Sequence, residues 1–290
     1  MRYKNEFKRM DILRCRHDGH EKFDYKVSAF HILERKQCFP NGCVYFRWRC
    51  KLFEKGKACY RGYNYVGRLC SGCKYFIESK VNNRPELRLS PAEYEEWRVR
   101  YDEFNEWVQT MKDRRVEVLG MIAAVKPRFQ RVLYPKSAHL RLQGFQITFS
   151  EAYPQTDHLD DECYAIVSAE FQNRHQLAAG AEIEFSAIFT LNRGRVVFQR
   201  LQRLEIVNPP NEPVEWNSSK ALVARSVATG FACQPAKCLK CKYGVLADVD
   251  DQRGERRPLK RQLYCLQGMP HPDVCTIIPG KSLSEDECQL

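Results

Sequence analysis

The segment Ile183-Glu184-Phe185-Ser186-Ala187-Ile188-Phe189-Thr190-Leu191-Asn192-Arg193-Gly194-Arg195-Val196 decides how the middle of this 290-residue chain is read. Ile183, Phe185, Ala187 and Phe189 alternate with other residues, the period of a strand that buries one face. Gly180 precedes the run, Asn192-Arg193-Gly194 supplies a turn, and Val196 to Val207 returns as a second strand. Outward from this hairpin three more strands are predicted. They cover Val116 to Val125, ending before Pro127, Leu140 to Phe149 with Gly144 inside it, and Cys163 to Phe171.

Five strands of this length, with Gly120 and Gly144 where strands bend, resemble an OB-type barrel. The resemblance is one of pattern and covers residues 116 to 207. It implies binding of single-stranded nucleic acid or another oligomer across one face. One departure is that the segment from Gln172 to Gly180 is too short for the usual full helix between the third and fourth strands. A helix is predicted instead from Ser90, which caps it, with Pro91 in the first turn and Glu93 closing a capping box. Tyr94, Trp97, Tyr101, Phe104, Val108 and Met111 then form one apolar stripe at spacings of three and four, so this helix is expected to pack on a core and to cap the barrel end.

The 14 cysteines fall mostly in two groups outside the barrel. Gly56-Lys57-Ala58-Cys59 leads to Cys70-Ser71-Gly72-Cys73-Lys74-Tyr75, and Gly230-Phe231-Ala232-Cys233 leads to Cys238-Leu239-Lys240-Cys241-Lys242-Tyr243. Both read G-x-A-C, a gap, then C-x-x-C-K-Y, an internal repeat. A C-x-x-C pair places two thiolates on one cation, the half-site of zinc ribbons and knuckles. The expected ligands are Cys50, Cys59, Cys70 and Cys73 in the first module, with Cys43 and Cys38 as other sources of the fourth. In the second they come from Cys233, Cys238, Cys241, Cys265 and Cys275. There, either Cys265 and Cys275 complete the pair as a ribbon, or Cys233 joins it with one distant cysteine, which the repeat favours. Cys15, His17 and His20 form a smaller group near the N-terminus. Zinc is the expected metal and an iron–sulfur cluster the alternative, since four thiolates suit both. With no apolar leader segment in Met1 to Met10 and no apolar run of membrane length, a cytoplasmic protein without a membrane span is expected, in which cysteines hold metal rather than form disulfides.

The net charge is +11 and the isoelectric point near 9.0, a balance that favours polyanion partners. Arg47, Arg49, Lys51, Lys55 and Lys57 interleave with Tyr45, Phe46 and Trp48, and Arg253, Arg256, Arg257, Lys260 and Arg261 lie in the tail. Aromatics that stack on bases beside cations that follow phosphates suit an unpaired strand. Expected nucleic-acid contacts are therefore Arg47, Trp48, Arg49 and Lys51, with Arg128, Arg131, Arg141 and Phe145 on the barrel. The acidic run Asp157 to Glu162 is read as a solvated turn.

The expected fold is thus mainly β with α: a central OB-like five-stranded barrel, one amphipathic helix and two Cys-rich metal-binding modules. Its segments are a polar N-terminal stretch (1–37), a Cys-rich module (38–89), the helix (90–114), the barrel (115–208), a linker (209–229) and a second Cys-rich module (230–290). The expected function is a metal-stabilised protein that binds DNA or RNA, alone or within a larger assembly. The alternatives are an iron–sulfur redox protein and a zinc-stabilised protein–protein adaptor. No catalytic constellation is legible in the sequence.

Overall fold

The computed structural model describes residues 1–23, 25–210, 213–253 and 260–277. With 41% of its residues in strands and few helices, the chain is mainly β. In chain order it begins with β1 (Arg2–Tyr3), β2 (Leu13–Arg14), β3 (Cys43–Cys50), the single-turn helix α1 (Lys51–Glu54), β4 (Phe76–Asn83), β5 (Glu86–Leu87) and the long helix α2 (Pro91–Met111). Strands β6 (Arg115–Leu133), β7 (Ala138–Pro154), β8 (His158–Leu159) and β9 (Cys163–Val167) follow, then α3 (Ala169–His175), β10 (Glu182–Asn192) and β11 (Arg195–Asn208). The last stretch holds α4 (Ser218–Val227), β12 (Thr229–Phe231), α5 (Ala236–Lys240), β13 (Gly244–Asp251) and β14 (Lys260–Cys265). Residues 6–101 form one unit, and residues 1–5 with those from 102 on form a second. Among the described residues no helix is long and apolar enough to cross a membrane.

In the first unit the antiparallel hairpin β3–β4 runs in unbroken register from Cys43 opposite Asn83 to Cys50 opposite Phe76. The N-terminal stretch, polar in average composition, nevertheless supplies this unit's core: Phe7, Ile12, Leu13, Cys15, Val27, Ala29 and Ile32 are all buried. They lie in a two-residue strand, short helical segments and loops, each too brief to show a helical or strand period. The capping box of α2 forms as its residues predict, with Ser90 N donating to Glu93 Oε2 at 2.8 Å and Glu93 N donating to Ser90 Oγ at 3.4 Å. From the same helix Trp97 and Tyr101, both fully buried, donate to Glu6 and Glu34 at 2.8 Å each.

The second unit is built on a ten-stranded mixed sheet. All five predicted strands lie in it. β6 pairs antiparallel with β7 and with β10, β7 with β9, and β10 with β11, while β9 and β11 run parallel. Three strand ends differ from the sequence reading, and the first is that of β7, which runs on to Pro154 rather than ending at Phe149. β6 runs straight through Pro127, which faces Phe145 on β7. On its other side β10 pairs only with residues 115–121 and β13 only with 130–133, so the missing N–H breaks no ladder there. The third strand stops at Val167 rather than Phe171, because Ser168 Oγ accepts the Phe171 N–H at 3.1 Å and starts α3.

Phe149, Phe185, Phe189 and Phe198 are fully buried and pack ring on ring at centroid separations of 5.6 to 6.2 Å. Gly144 bends β7 with φ +120°, and a Cβ there would stand 2.2 Å from Val167 O on β9. Gly144→Ala is expected to destabilise this unit by about 3 kcal/mol or more, combining left-handed strain with a backbone clash. A urea midpoint unchanged from wild type would contradict that placement of β7 on β9.

Candidate metal centres

The first centre is assembled by β3, β4 and the loop between them. Cys50 ends β3, and Cys70 and Cys73 flank the turn that leads into β4, where Gly72 takes φ +82°. Cys73 N donates to Cys70 O and Phe76 N to Cys73 O, both at 2.9 Å, which winds the C-x-x-C segment into a tight knuckle. Cys50, Cys59, Cys70 and Cys73, the four expected cysteines, line one pocket walled by Phe53, Tyr60, Tyr63, Tyr65, Tyr75 and Phe76. The Tyr75 backbone N–H, aimed at Cys73 Sγ, is the main influence holding that thiol below its ordinary range, with Tyr60 OH 3.6 Å away as a further one.

The second centre lies in the other unit. α5 carries Cys238 and ends at Cys241, β14 ends at Cys265, and Cys275 follows the turn Pro272–Val274. These four cysteines line one pocket with Phe231, Tyr264, Met269 and Pro272. Burial, ahead of the neighbouring Cys275, Cys241 and Cys265, pushes the Cys238 thiol up. Tyr243 N donates to Cys241 Sγ at 3.4 Å, the counterpart of the Tyr75 contact in the first knuckle. Cys233, expected to hold metal rather than form a disulfide, is buried, disulfide-bonded and not part of this pocket. The structure therefore gathers the ribbon set rather than the set that the repeat favours.

The repeat has a three-dimensional meaning that its linear form hides. Cys50 is paired with Phe76, the third residue after Cys73, and Cys265 is paired with Gly244, the third residue after Cys241. In both centres a C-x-x-C-K-Y knuckle leads into a strand whose first residue faces a third cysteine across an antiparallel ladder. That cysteine precedes the knuckle in one case and follows it in the other, so no linear alignment matches them. At Gly244 a side chain is impossible, since a Cβ would lie 1.8 Å from Cys238 O.

Tetrahedral zinc at about 2.3 Å from each sulfur sets sulfurs roughly 3.8 Å apart. Among the described residues the one group of three ligand atoms within 4.8 Å of one another is Glu151, His158 and Asp160. Neither cysteine pocket therefore brings three sulfurs within that distance of one another among the described residues. The oxygen-rich triplet belongs to a turn bound up in structural contacts. His158 lies 2.7 Å from Glu151, Arg2 donates to Asp160, and Met1 N and Trp107 Nε1 donate to Asp157.

Lys126 joins β6 to the second knuckle. Its Nζ donates to the carbonyls of Cys241 at 2.6 Å and of Leu239 and Gly244 at 3.2 Å, and burial pushes its pKa down. Lys126→Met is expected to cost about 2 kcal/mol, because the carbonyls of Leu239 and Gly244 lose this donor while that of Cys241 keeps the Gly244 N–H at 3.0 Å. A loss under about 0.5 kcal/mol in urea denaturation would show that the carbonyls find other partners.

The expected nucleic-acid contacts sort unevenly. Arg47 is held in a fork by Asp18 at 2.6 and 2.5 Å, and Arg49 pairs with Glu54 at 3.3 Å. Arg128 pairs with Asp248, Arg131 donates to Gln262 and Arg141 to Tyr134 OH. Phe145 is fully buried and offers no face for stacking, because the Gly144 bend turns it into the core. Trp48 and Lys51 stay exposed, and with Trp48 on one face of β3 stand Val44 and Phe46, each more than half exposed. Phe46 faces Lys80 across the hairpin and Trp48 faces Glu78. The period-two run Val44, Phe46, Trp48 was the signal for this outward stripe. Of the tail residues, Arg256, Arg257 and Cys288 lie outside the described residues. Compared with known proteins, the chain matches no family model, no curated protein and no solved structure.

Proposed function

We propose that this protein binds single-stranded or irregular nucleic acid in the reducing cytoplasm, on a scaffold stapled by two zinc–thiolate centres and built around an OB-like barrel. The observation that carries the reading is the exposed aromatic stripe Phe46 and Trp48 on β3, beside exposed Lys51 and Lys80, on the same hairpin that holds the first cysteine quartet. Stacking faces beside exposed cations are what an unstacked strand requires. The net charge of +11 supplies sequence-independent attraction to phosphate.

Two further features support it. The strand pairings β6–β7, β7–β9, β9–β11, β11–β10 and β10–β6 return to their start, with the one parallel pair between the third and fifth strands, which favours a small barrel of OB type. Zinc is favoured over an iron–sulfur cluster by the paired knuckles, each with a backbone N–H aimed at the sulfur of its second cysteine and a third cysteine across a strand ladder. The test is binding of fluorescent single-stranded DNA and RNA oligonucleotides across a salt series. With about four phosphate contacts, affinity is expected to fall roughly 50-fold between 50 and 200 mM salt. A zinc-loaded protein that binds neither oligonucleotide at low salt would reject nucleic acid and leave the adaptor reading.

A further inference from the structure

Three cysteines of the first unit belong to neither quartet. Cys15 follows β2, Cys43 opens β3, and Cys38 stands at the start of the turn between them, where Gly42 N donates to Cys38 O at 2.5 Å. Cys15 and Cys38 are 1% and 6% exposed. Asn83, the residue of β4 opposite Cys43, is itself 9% exposed, and its Nδ2 donates to Cys15 Sγ at 3.2 Å and to Cys43 Sγ at 3.8 Å. Cys38 in turn is hydrogen-bonded to Cys43 and has Cys15 as a near neighbour. One amide thus touches two sulfurs and the third sulfur touches one of those two. Residues 15, 38 and 43 are separated in the chain, so only the fold brings them together.

We propose that Cys15, Cys38 and Cys43 form a third site for a thiophilic metal ion, zinc in the cell, held beside the Asn83 amide. The inference rests on the same thiolate–zinc reading as the two quartets. Three apolar residues would fill this space without leaving thiols to be satisfied, and a carboxamide is an unusual neighbour for a purely apolar cluster. An N–H donor directed at two sulfurs suits thiolates, whose charge a divalent cation balances. On binding, three thiols release three protons to solvent and form three metal–sulfur bonds, leaving one tetrahedral position for a water or an imidazole. Imidazoles stand close by. His20 Nδ1 lies 3.4 Å from Cys15 O, and its Nε2 lies 3.2 Å from His31 Nε2. The two rings meet nitrogen to nitrogen, so imidazole, a borderline donor that zinc accepts, stands beside the Cys15 backbone.

Native mass spectrometry of the full chain, purified from zinc-supplemented cells, tests this. Wild type is expected to carry three zinc ions, and Cys38→Ser and Cys43→Ser two. Two zinc ions in wild type and still two in both variants would overturn the third site while leaving the quartets intact. No zinc at all would overturn both. Should the serine variants fail to fold, cobalt-substituted wild type decides the matter. Three cobalt ions all showing sulfur-to-cobalt charge-transfer absorption support the site, whereas a third ion without that absorption sits on oxygen or nitrogen and overturns it.

Discussion

Replacing Cys238 and Cys241 together by serine is expected to remove one zinc ion per chain and to unfold the ribbon formed by β12, β13 and β14. The core beneath that ribbon is small: Phe231, Leu263 and Cys265, with Cys238, Leu246 and Met269 packed against them. Such a core gains little from apolar burial, so on the proposed zinc reading a metal held there would carry most of the local stability, on the order of 10 kcal/mol in small structural zinc modules. Limited proteolysis should cut the variant within the ribbon while leaving the segment from β6 to β11 intact, since the phenylalanine cluster there stands without metal. Cys70→Ser with Cys73→Ser should remove one zinc from the first unit in the same way. Cys163→Ser, in the buried core of β9, should leave the zinc content unchanged. An unchanged zinc count in both double variants would reject the quartets as metal ligands. A brown protein containing iron and sulfide would replace zinc by a cluster and redirect interest to redox chemistry.

The second large effect is expected at the aromatic stripe. Phe46→Ala with Trp48→Ala should weaken binding of a single-stranded oligonucleotide by about 100-fold or more, because each base–aromatic stack contributes roughly 1–3 kcal/mol. Neither side chain is buried, and the hydrogen bond from Trp48 Nε1 to Glu78 is exposed, so the hairpin should keep its fold and its zinc. Binding affinity and zinc content measured on one preparation therefore separate loss of contact from loss of structure. A change of less than twofold in affinity would place the contact surface elsewhere. Arg47→Ala is a poor probe by comparison. Its guanidinium is locked to Asp18 and Tyr45, so its removal disturbs the unit as well as any phosphate contact.

Local spacing carried much of this architecture into view. The alternation of Ile183, Phe185, Ala187 and Phe189 marked a strand, and the Ser90–Glu93 pair marked a helix start, because each depends on neighbours within a turn or a pleat. The two C-x-x-C-K-Y turns were equally legible, since each is a short turn whose two cysteines are three residues apart. The core role of Phe7, Ile12 and Ile32 was not, because these residues sit in short helical segments or loops too brief to show a period. Phe145 stood open in the sequence between a core position, the commoner reading, and a stacking face, and it is buried beside the bend at Gly144 against β9.

By itself, the sequence determined the strands of the central sheet, the long helix and the two cysteine half-sites, all products of short-range geometry. Tertiary structure alone decided which distant cysteines share a pocket with each C-x-x-C pair. Cys265 faces Gly244 and Cys50 faces Phe76 only because particular strands pair, and Cys275 rather than Cys233 lines the second pocket only because of how the chain returns. It also decided which cations are neutralised, since Asp18 and Asp248 reach Arg47 and Arg128 across long stretches of chain. Pairing of remote segments depends on the burial of the whole core, and that sum over many contacts is not written in any one window of sequence.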